Sequence, residues 1–217
     1  MRLVFISDTH NQHAQVAVPP GDVLLHTGDF SGRGRLEEVE AFLDWFAAQP
    51  HPHKVLIAGN HDFLAERNPE IFRALLPANV IYLEDSAAEV AGIRIWGSPI
   101  QPWFFDWAFN RQRGADIRRH WDLIPADTDI LLVHGPPYGI LDKVVPDQRP
   151  VGCRDLLKRV QDLGVKICAS GHIHEGYGTH EADGTLFLNA SVLDEKYVLR
   201  NAPLVVEWNG PEDFRLV

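Results

Sequence analysis

Short apolar runs recur along the chain, and each stops abruptly at a polar cluster. Residues 3–7 break at Asp8, and residues 23–25 lead into Thr27-Gly28-Asp29. Residues 55–58 lead into Gly59-Asn60-His61-Asp62, and residues 130–133 into His134-Gly135-Pro136-Pro137. Residues 165–169 run into Ser170-Gly171-His172-Ile173-His174. A few apolar residues followed by glycine and polar residues mark a buried strand that gives way to a loop.

Between these runs the apolar spacing is helical. Leu36, Val39, Phe42, Leu43 and Phe46 fall on one stripe, and so do Leu156, Leu157, Val160 and Leu163. Strand and helix alternate, which predicts an α/β fold with largely parallel central strands. Elsewhere the pattern is antiparallel. Residues 87–90 and 93–96 flank Gly92 as a hairpin, and Asp183-Gly184 marks a turn between residues 178–181 and 186–188. Residues 203–208 and 214–217 supply closing strands. The five polar clusters all follow strands, and the carboxyl ends of such strands are where ligands bind in open α/β sheets.

A chain of 217 residues suits one domain spanning 1–217, and 45% hydrophobic with 23% charged residues describes an ordinary globular protein. No apolar run approaches the roughly 20 residues that cross a bilayer, and the start of the chain reads as a strand rather than a signal peptide. A cytoplasmic location is therefore expected. Cys153 and Cys168 are too few for a disulfide framework and read as buried free thiols. The formal charge of −10 argues against an extended nucleic-acid interface. A small phosphorylated substrate remains compatible, because a bound cation reverses the local field.

The clusters deliver Asp8, His10, Asp29, Asn60, His134, His172 and His174, a set of oxygen and imidazole donors with no thiolate. Such donors suit Zn²⁺, Mn²⁺, Fe and Ni²⁺. Asp-x-His and His-x-His pairs can aim both side chains to one side of a strand end. Seven ligands exceed one tetrahedral site but fit two ions about 3.5–4 Å apart, sharing a carboxylate and a bridging hydroxide nucleophile.

Asp8-Thr9-His10, Gly28-Asp29, Gly59-Asn60-His61-Asp62, His134-Gly135 and Gly171-His172-Ile173-His174 together resemble the five signature blocks of the calcineurin-like metallophosphoesterases. That resemblance implies a four-layer α/β/β/α sandwich of two mixed sheets flanked by helices. It implies a first metal on Asp8, His10 and His174, a second on Asn60, His134 and His172, and Asp29 bridging both. His61 would be no ligand but would stabilise the transition state or protonate the leaving oxygen. Manganese is the first expectation for the two divalent ions, with Fe, Zn, Ni or Co as alternatives.

Four further stretches resemble the small metallophosphoesterase-domain-containing branch, whose members include metal-dependent phosphodiesterases acting on nucleotides. These are Ser7-Asp8-Thr9-His10 with His13, Gly97-Ser98-Pro99, residues 103–110 and residues 171–178. Some members of that branch carry Gly where this chain has His172, so the second metal site is expected to be intact. The expected reaction is hydrolysis of small or nucleotide-type phosphodiesters. Phosphomonoester hydrolysis, including protein phosphatase activity, is the nearest alternative, and a non-catalytic scaffold is more distant.

Of the 11 histidines, five belong to the motifs. His26 reads as a core residue, His13 as a helix start or a site neighbour, and His51, His53, His120 and His180 as loop or surface residues. The aromatic run 103–109 reads mainly as a loop burying its own rings, with one or two facing the site. Arg33, Trp103 and Asn110 are candidate substrate contacts, with Arg113 a further phosphate or ribose candidate. Asp62 either orients His61 or caps the following helix. Glu37-Glu38-Val39-Glu40 reads as a solvated helix face, and Asn189-Ala190-Ser191 as support for the site.

Overall fold

The computed structural model describes residues 1–217. The alternation of strand residues sorts the core into layers. Leu3, Phe5, Val23 and Leu25 meet Ile130, Leu132, Ile167 and Leu188 in one apolar layer between two sheets. Their neighbours Val4, Ile6, Leu24, Leu131 and Val133 point away from that layer, toward the flanking helices that supply Phe42, Phe46 and Val160. A strand buried on both faces must be apolar at successive positions, which accounts for the unbroken runs in the sequence.

The first sheet runs, in spatial order, Asp213–Leu216, Leu204–Gly210, Arg2–Ile6, Val23–His26, His53–Leu56 and Ile81–Tyr82. Its last four strands are parallel and its first two join antiparallel. The second sheet runs Gly178–Ala182, Thr185–Asn189, Ile167–Ser170, Ile130–Val133, Ile93–Ser98 and Ser86–Val90. Its four central strands are parallel, and each edge is added by a hairpin. Both expected hairpins form, as do both closing strands. The fold is two mixed sheets flanked by helices. No helix is long and apolar enough to cross a membrane.

Helix Leu36–Ala47 buries Val39, Phe42, Leu43 and Phe46, but Leu36 itself is exposed at the first turn. Phe42 stacks on Phe30 with centroids 4.5 Å apart and meets His26 edge-on at 5.0 Å. His26 is fully buried and satisfied: its Nδ1 accepts the Gly28 N–H at 3.1 Å and its Nε2 lies 3.2 Å from Thr9 Oγ1. His13 is buried against Phe42 and Trp45.

Three histidines depart from the loop or surface reading, the first being half-buried His53, which opens strand His53–Leu56. His51 is buried with Nε2 donating to the Pro19 carbonyl at 3.0 Å, and half-buried His120 donates from Nδ1 to Asp85 at 2.6 Å. His180 is exposed. Both cysteines are buried free thiols.

Candidate metal centre

The first and second sheets end at one common edge, and the loops beyond their strands meet there. Asp8 follows the first strand, Asp29 the second, and Asn60 the third; His134 and His172 follow strands of the second sheet. Asp8, His10, Asn11, Asp29 and His172 all adopt left-handed backbone, with φ between 38° and 65°. Asn, Asp and His tolerate this region better than other side chains, and strain of this sort concentrates at functional sites. Two glycines allow the loops to close. A Cβ on Gly59 would strike the Asp29 carboxylate and the His134 ring, and one on Gly171 would strike Ser7 and Asp8.

Three overlapping donor groups result: two match the sequence expectation, and a third joins His10 and Asp29 to His61. Asp8, His10 and His174 form the first, with Asp8 Oδ1 lying 3.9 Å from His10 Nε2 and 3.4 Å from His174 Nε2. Asp29, His134 and His172 form the second, and Asn60 Oδ1 reaches His134 Nε2 at 2.9 Å. Asp29 Oδ2 stands between them, 3.7 Å from His10 Nε2, 3.3 Å from His134 Nε2 and 4.0 Å from His61 Nε2.

The ring orientations fit metal ligation. His10, His134 and His174 turn Nδ1 to the backbone carbonyls of Ser31, Thr27 and Asp194 at 3.3, 2.9 and 2.9 Å, leaving Nε2 to face the cluster. Anchoring the far nitrogen fixes both tautomer and ring plane, as metal-ligating histidines require. His10 Nε2 is buried and has no hydrogen-bond partner. A buried orphan nitrogen pointing at two carboxylates is costly unless a cation occupies the space. The donor set and this orphan together fit divalent ions.

The electrostatics agree. Burial works against a charged His134 or His174, yet the adjacent Asp29 and Asp8 carboxylates outweigh it and hold each at about 9. Burial dominates at His10 and His172 and holds them at about 4 and about 3. Asp8 is buried, but His174 bonded to its carboxylate holds it well below the usual range, and Asp29 is depressed likewise by His134 and His61. Two ionised carboxylates thus hold protons on His134 and His174, and a divalent ion entering the cluster would displace those protons to gain the imidazoles as ligands.

The calcineurin-like phosphoesterase profile matches residues 1–176. The chain belongs to that family. Metallophosphoesterase domain-containing protein 1 of Homo sapiens is 40% identical across 98% of this chain and 72% of its own length. The Mus musculus protein of the same name matches to the same extent. A solved structure superposes at a TM-score of 0.65 with 15% identity, over 87% of this chain and 89% of the other. GAP50, the anchor in the inner membrane complex of Plasmodium, superposes at 0.54 with 11% identity, over 95% and 80%. These likenesses are of fold. As a family member, this phosphoesterase is a metal-dependent phosphoric ester hydrolase.

Around the phosphoesterase centre several sequence-level expectations give way to tertiary contacts. Asp62 stands at the N-cap position of helix Phe63–Arg67, but its side chain makes no capping bond there and none to the His61 ring. Its buried carboxylate accepts the N–H groups of Gly59 at 2.7 Å, Asp29 at 2.9 Å and Ser31 at 3.0 Å, together with Ser31 Oγ at 2.6 Å. It clasps the two loops that carry Asp29 and Asn60. Burial, then the nearby Asp29 charge, push its carboxyl up to about 7 against the pull of these donors.

Neither Arg33 nor Asn110 lines the cavity beside the centre. Arg33 lies over the Trp107 ring at 4.6 Å. The Asn110 amide donates to the carbonyls of Phe104 and Phe105 at 3.2 and 2.8 Å, holding the aromatic loop in shape. Trp103 does line the cavity. The rings of that loop are not self-buried: Trp103, Phe104 and Phe105 are 53%, 51% and 71% exposed, and only Phe109 enters the core. Glu38, expected to be solvated, instead accepts the backbone N–H groups of Arg33 and Arg35 at 2.9 and 3.1 Å.

Asn189 takes a supporting place, donating from its amide to the Ile173 carbonyl at 2.7 Å and accepting the Ser191 N–H at 3.2 Å. Tyr197 carried no sequence signal, because no motif or apolar period includes it. Its ring lies 4.9 Å from both His10 and His174 and walls the first cluster.

Proposed function

We propose that this phosphoesterase hydrolyses small phosphodiesters of the nucleotide type, using two divalent ions with manganese as the first choice. The observation that carries this reading is the cavity opening from Asp29, Asn60, His172 and His174, with a volume of about 890 Å³. Its further walls combine Trp103, Phe104 and Tyr138 with Arg113, Arg149 and Arg154. A phosphate monoester would fill a small part of that space, whereas aromatic and guanidinium walls suit a base and the second ester arm. A chain with a formal charge of −10 that gathers three arginines at its cavity is arranged for an anion.

Asp8, His10 and His174 would hold one ion, Asn60, His134 and His172 the other, and Asp29 both. When bound, the ions supply an activated water and positive charge for the phosphoryl oxygens. We assign His61 to the leaving group rather than to an ion, although it also lies close enough to His10 and Asp29 to join them as a donor. Its Nδ1 donates to the Gly32 carbonyl at 2.8 Å, so Nε2 is the atom left to meet the leaving oxygen. Proton donation there avoids expelling an alkoxide. The Asp29 carboxylate also accepts the His61 N–H at 2.8 Å, which ties the backbone of the acid to the bridging ligand.

The test is hydrolysis of bis-p-nitrophenyl phosphate and p-nitrophenyl phosphate by metal-stripped protein, before and after Mn²⁺, Ni²⁺, Co²⁺ or Zn²⁺ is added. Metal-restored cleavage with preference for the diester supports the proposal. Preference for the monoester would replace it with a phosphatase, and no cleavage with two ions bound would point to a binding scaffold. His61→Ala should keep both ions while lowering turnover by about two to four powers of ten, the scale of acid–base assistance.

A further inference from the structure

Trp107 belongs to none of the five metal-ligand blocks, yet it is a residue against which His61 rests. The two rings stack with centroids 4.2 Å apart and planes 27° from parallel. The Arg33 guanidinium also lies over the indole, 4.6 Å from the centroid, and the Phe63 ring is 5.8 Å away and 28° from parallel. Trp107 lines the cavity, but with His61 stacked on it and Arg33 over its ring it is engaged by the protein rather than free to take a substrate base. Trp103 and Phe104, each more than half exposed on the cavity wall, are the rings left for that task.

His61 needs such a support. A single hydrogen bond from Nδ1 to the Gly32 carbonyl fixes one direction but lets the ring rock about that line. The stacked Trp107 ring restricts that motion, and the His10 ring, 4.5 Å away at 78°, makes a second contact with His61. The support is itself anchored. The Ala108 N–H donates to the Asn60 carbonyl at 3.1 Å, so the loop bearing Trp107 is bonded to the residue next to His61. Asn110 shapes the same loop, and the Glu38 carboxylate holds the Arg33 backbone at 2.9 Å.

We propose that Trp107, with Arg33 over its ring, is a positioning residue that fixes the plane in which His61 meets the leaving oxygen. This rests on the reading of His61 as the group that assists departure of that oxygen. A loosened acid costs turnover rather than binding, and costs most where the leaving group most needs a proton.

The experiment uses the manganese-loaded full chain as wild type, Trp107→Ala, Trp107→Phe, Arg33→Ala, His61→Ala and the Trp107→Ala/His61→Ala double variant. The substrates are bis-p-nitrophenyl phosphate, with a good leaving group, and thymidylyl-thymidine, with a poor one. Trp107→Ala should lower kcat about tenfold on the dinucleotide but only about twofold on the aryl ester, with KM almost unchanged. Trp107→Phe, which keeps an aromatic face, should stay within about threefold of wild type, and Arg33→Ala should fall between the two. In the His61→Ala background the Trp107→Ala loss should vanish, because the two residues act as one unit.

A readout independent of turnover is the proton NMR of the metal-free protein. The His61 ring protons should lie upfield under the indole ring current in wild type and move downfield in Trp107→Ala. A Trp107→Ala loss that persists without His61, or a raised KM at constant kcat, would overturn the proposal in favour of direct substrate stacking. A wild type lacking the upfield signals would overturn it on geometry alone. If those signals are present but the two-ion enzyme cleaves neither ester, the phosphoesterase reading of the site falls, and the positioning role falls with it.

Discussion

Asp62 is where a single buried group sets the geometry of two metal-binding loops. Its carboxylate accepts three backbone N–H groups and one hydroxyl at 2.6–3.0 Å, and a fourth N–H, from Phe30, at 3.4 Å. The residue is fully buried, so water does not replace these bonds in a truncated variant. Asp62→Ala leaves at least three backbone donors unpaired, each costing about 1–3 kcal/mol, and a total near 4 kcal/mol is expected after relaxation of the Ser31 hydroxyl. That is a large part of the 5–15 kcal/mol typical of whole proteins. Asp62→Asn keeps one carbonyl oxygen but turns an amide toward the donors, and should cost about half as much. Urea unfolding at constant slope measures both losses, and metal analysis of the folded variants measures the site. Because Asp29 and Asn60 sit on the clasped loops, both variants should also bind ions at least about tenfold more weakly. A loss below about 1 kcal/mol in Asp62→Ala, with two ions retained, would refute the clasp.

Phe42→Ala removes a fully buried ring that stacks on Phe30 and abuts His26, and should destabilise by about 3–5 kcal/mol in urea unfolding; under about 1.5 kcal/mol would contradict the packing described. Burial pushes the Cys168 thiol up to about 12 and raises that of Cys153, so an aromatic disulfide reagent should find no reactive thiol in the native chain and two after denaturation. Burial holds His26 at about 3, against an ordinary value of 6.5, so the unfolded chain takes up a proton first as pH falls. His26 therefore contributes stability that is full above pH 6.5 and is lost toward pH 3, at up to about 1.4 kcal/mol per unit. Replacing it with Gln should flatten the pH dependence of the urea midpoint in that window, and an unchanged slope would remove the assignment.

Much of this protein is legible in its sequence because the relevant signals are local. Apolar runs that stop at Gly and a polar cluster mark buried strands and the loops beyond them, and the Asp183-Gly184 turn marks a hairpin. Asp8 and His10, like His172 and His174, stand two residues apart and are visible as motifs. Left-handed backbone at Asp8, His10 and His172, not strand alternation, aims them, and His172 and His174 go to different clusters. What the sequence could not reveal depends on loops distant along the chain being pressed together. Asp62 reads as a cap or an orienter of its neighbour, but its partners lie around residue 30. Arg33 and Asn110 look like substrate contacts by residue type, yet one closes over Trp107 and the other is used up shaping its own loop. His51 and Glu38 look solvated until their backbone partners are in place. Periodicity records which side of an element is buried, a property of neighbouring residues. Which loop meets which is decided by the packing of two sheets, whose strands bring residues 8, 29, 60, 134 and 172 to one edge.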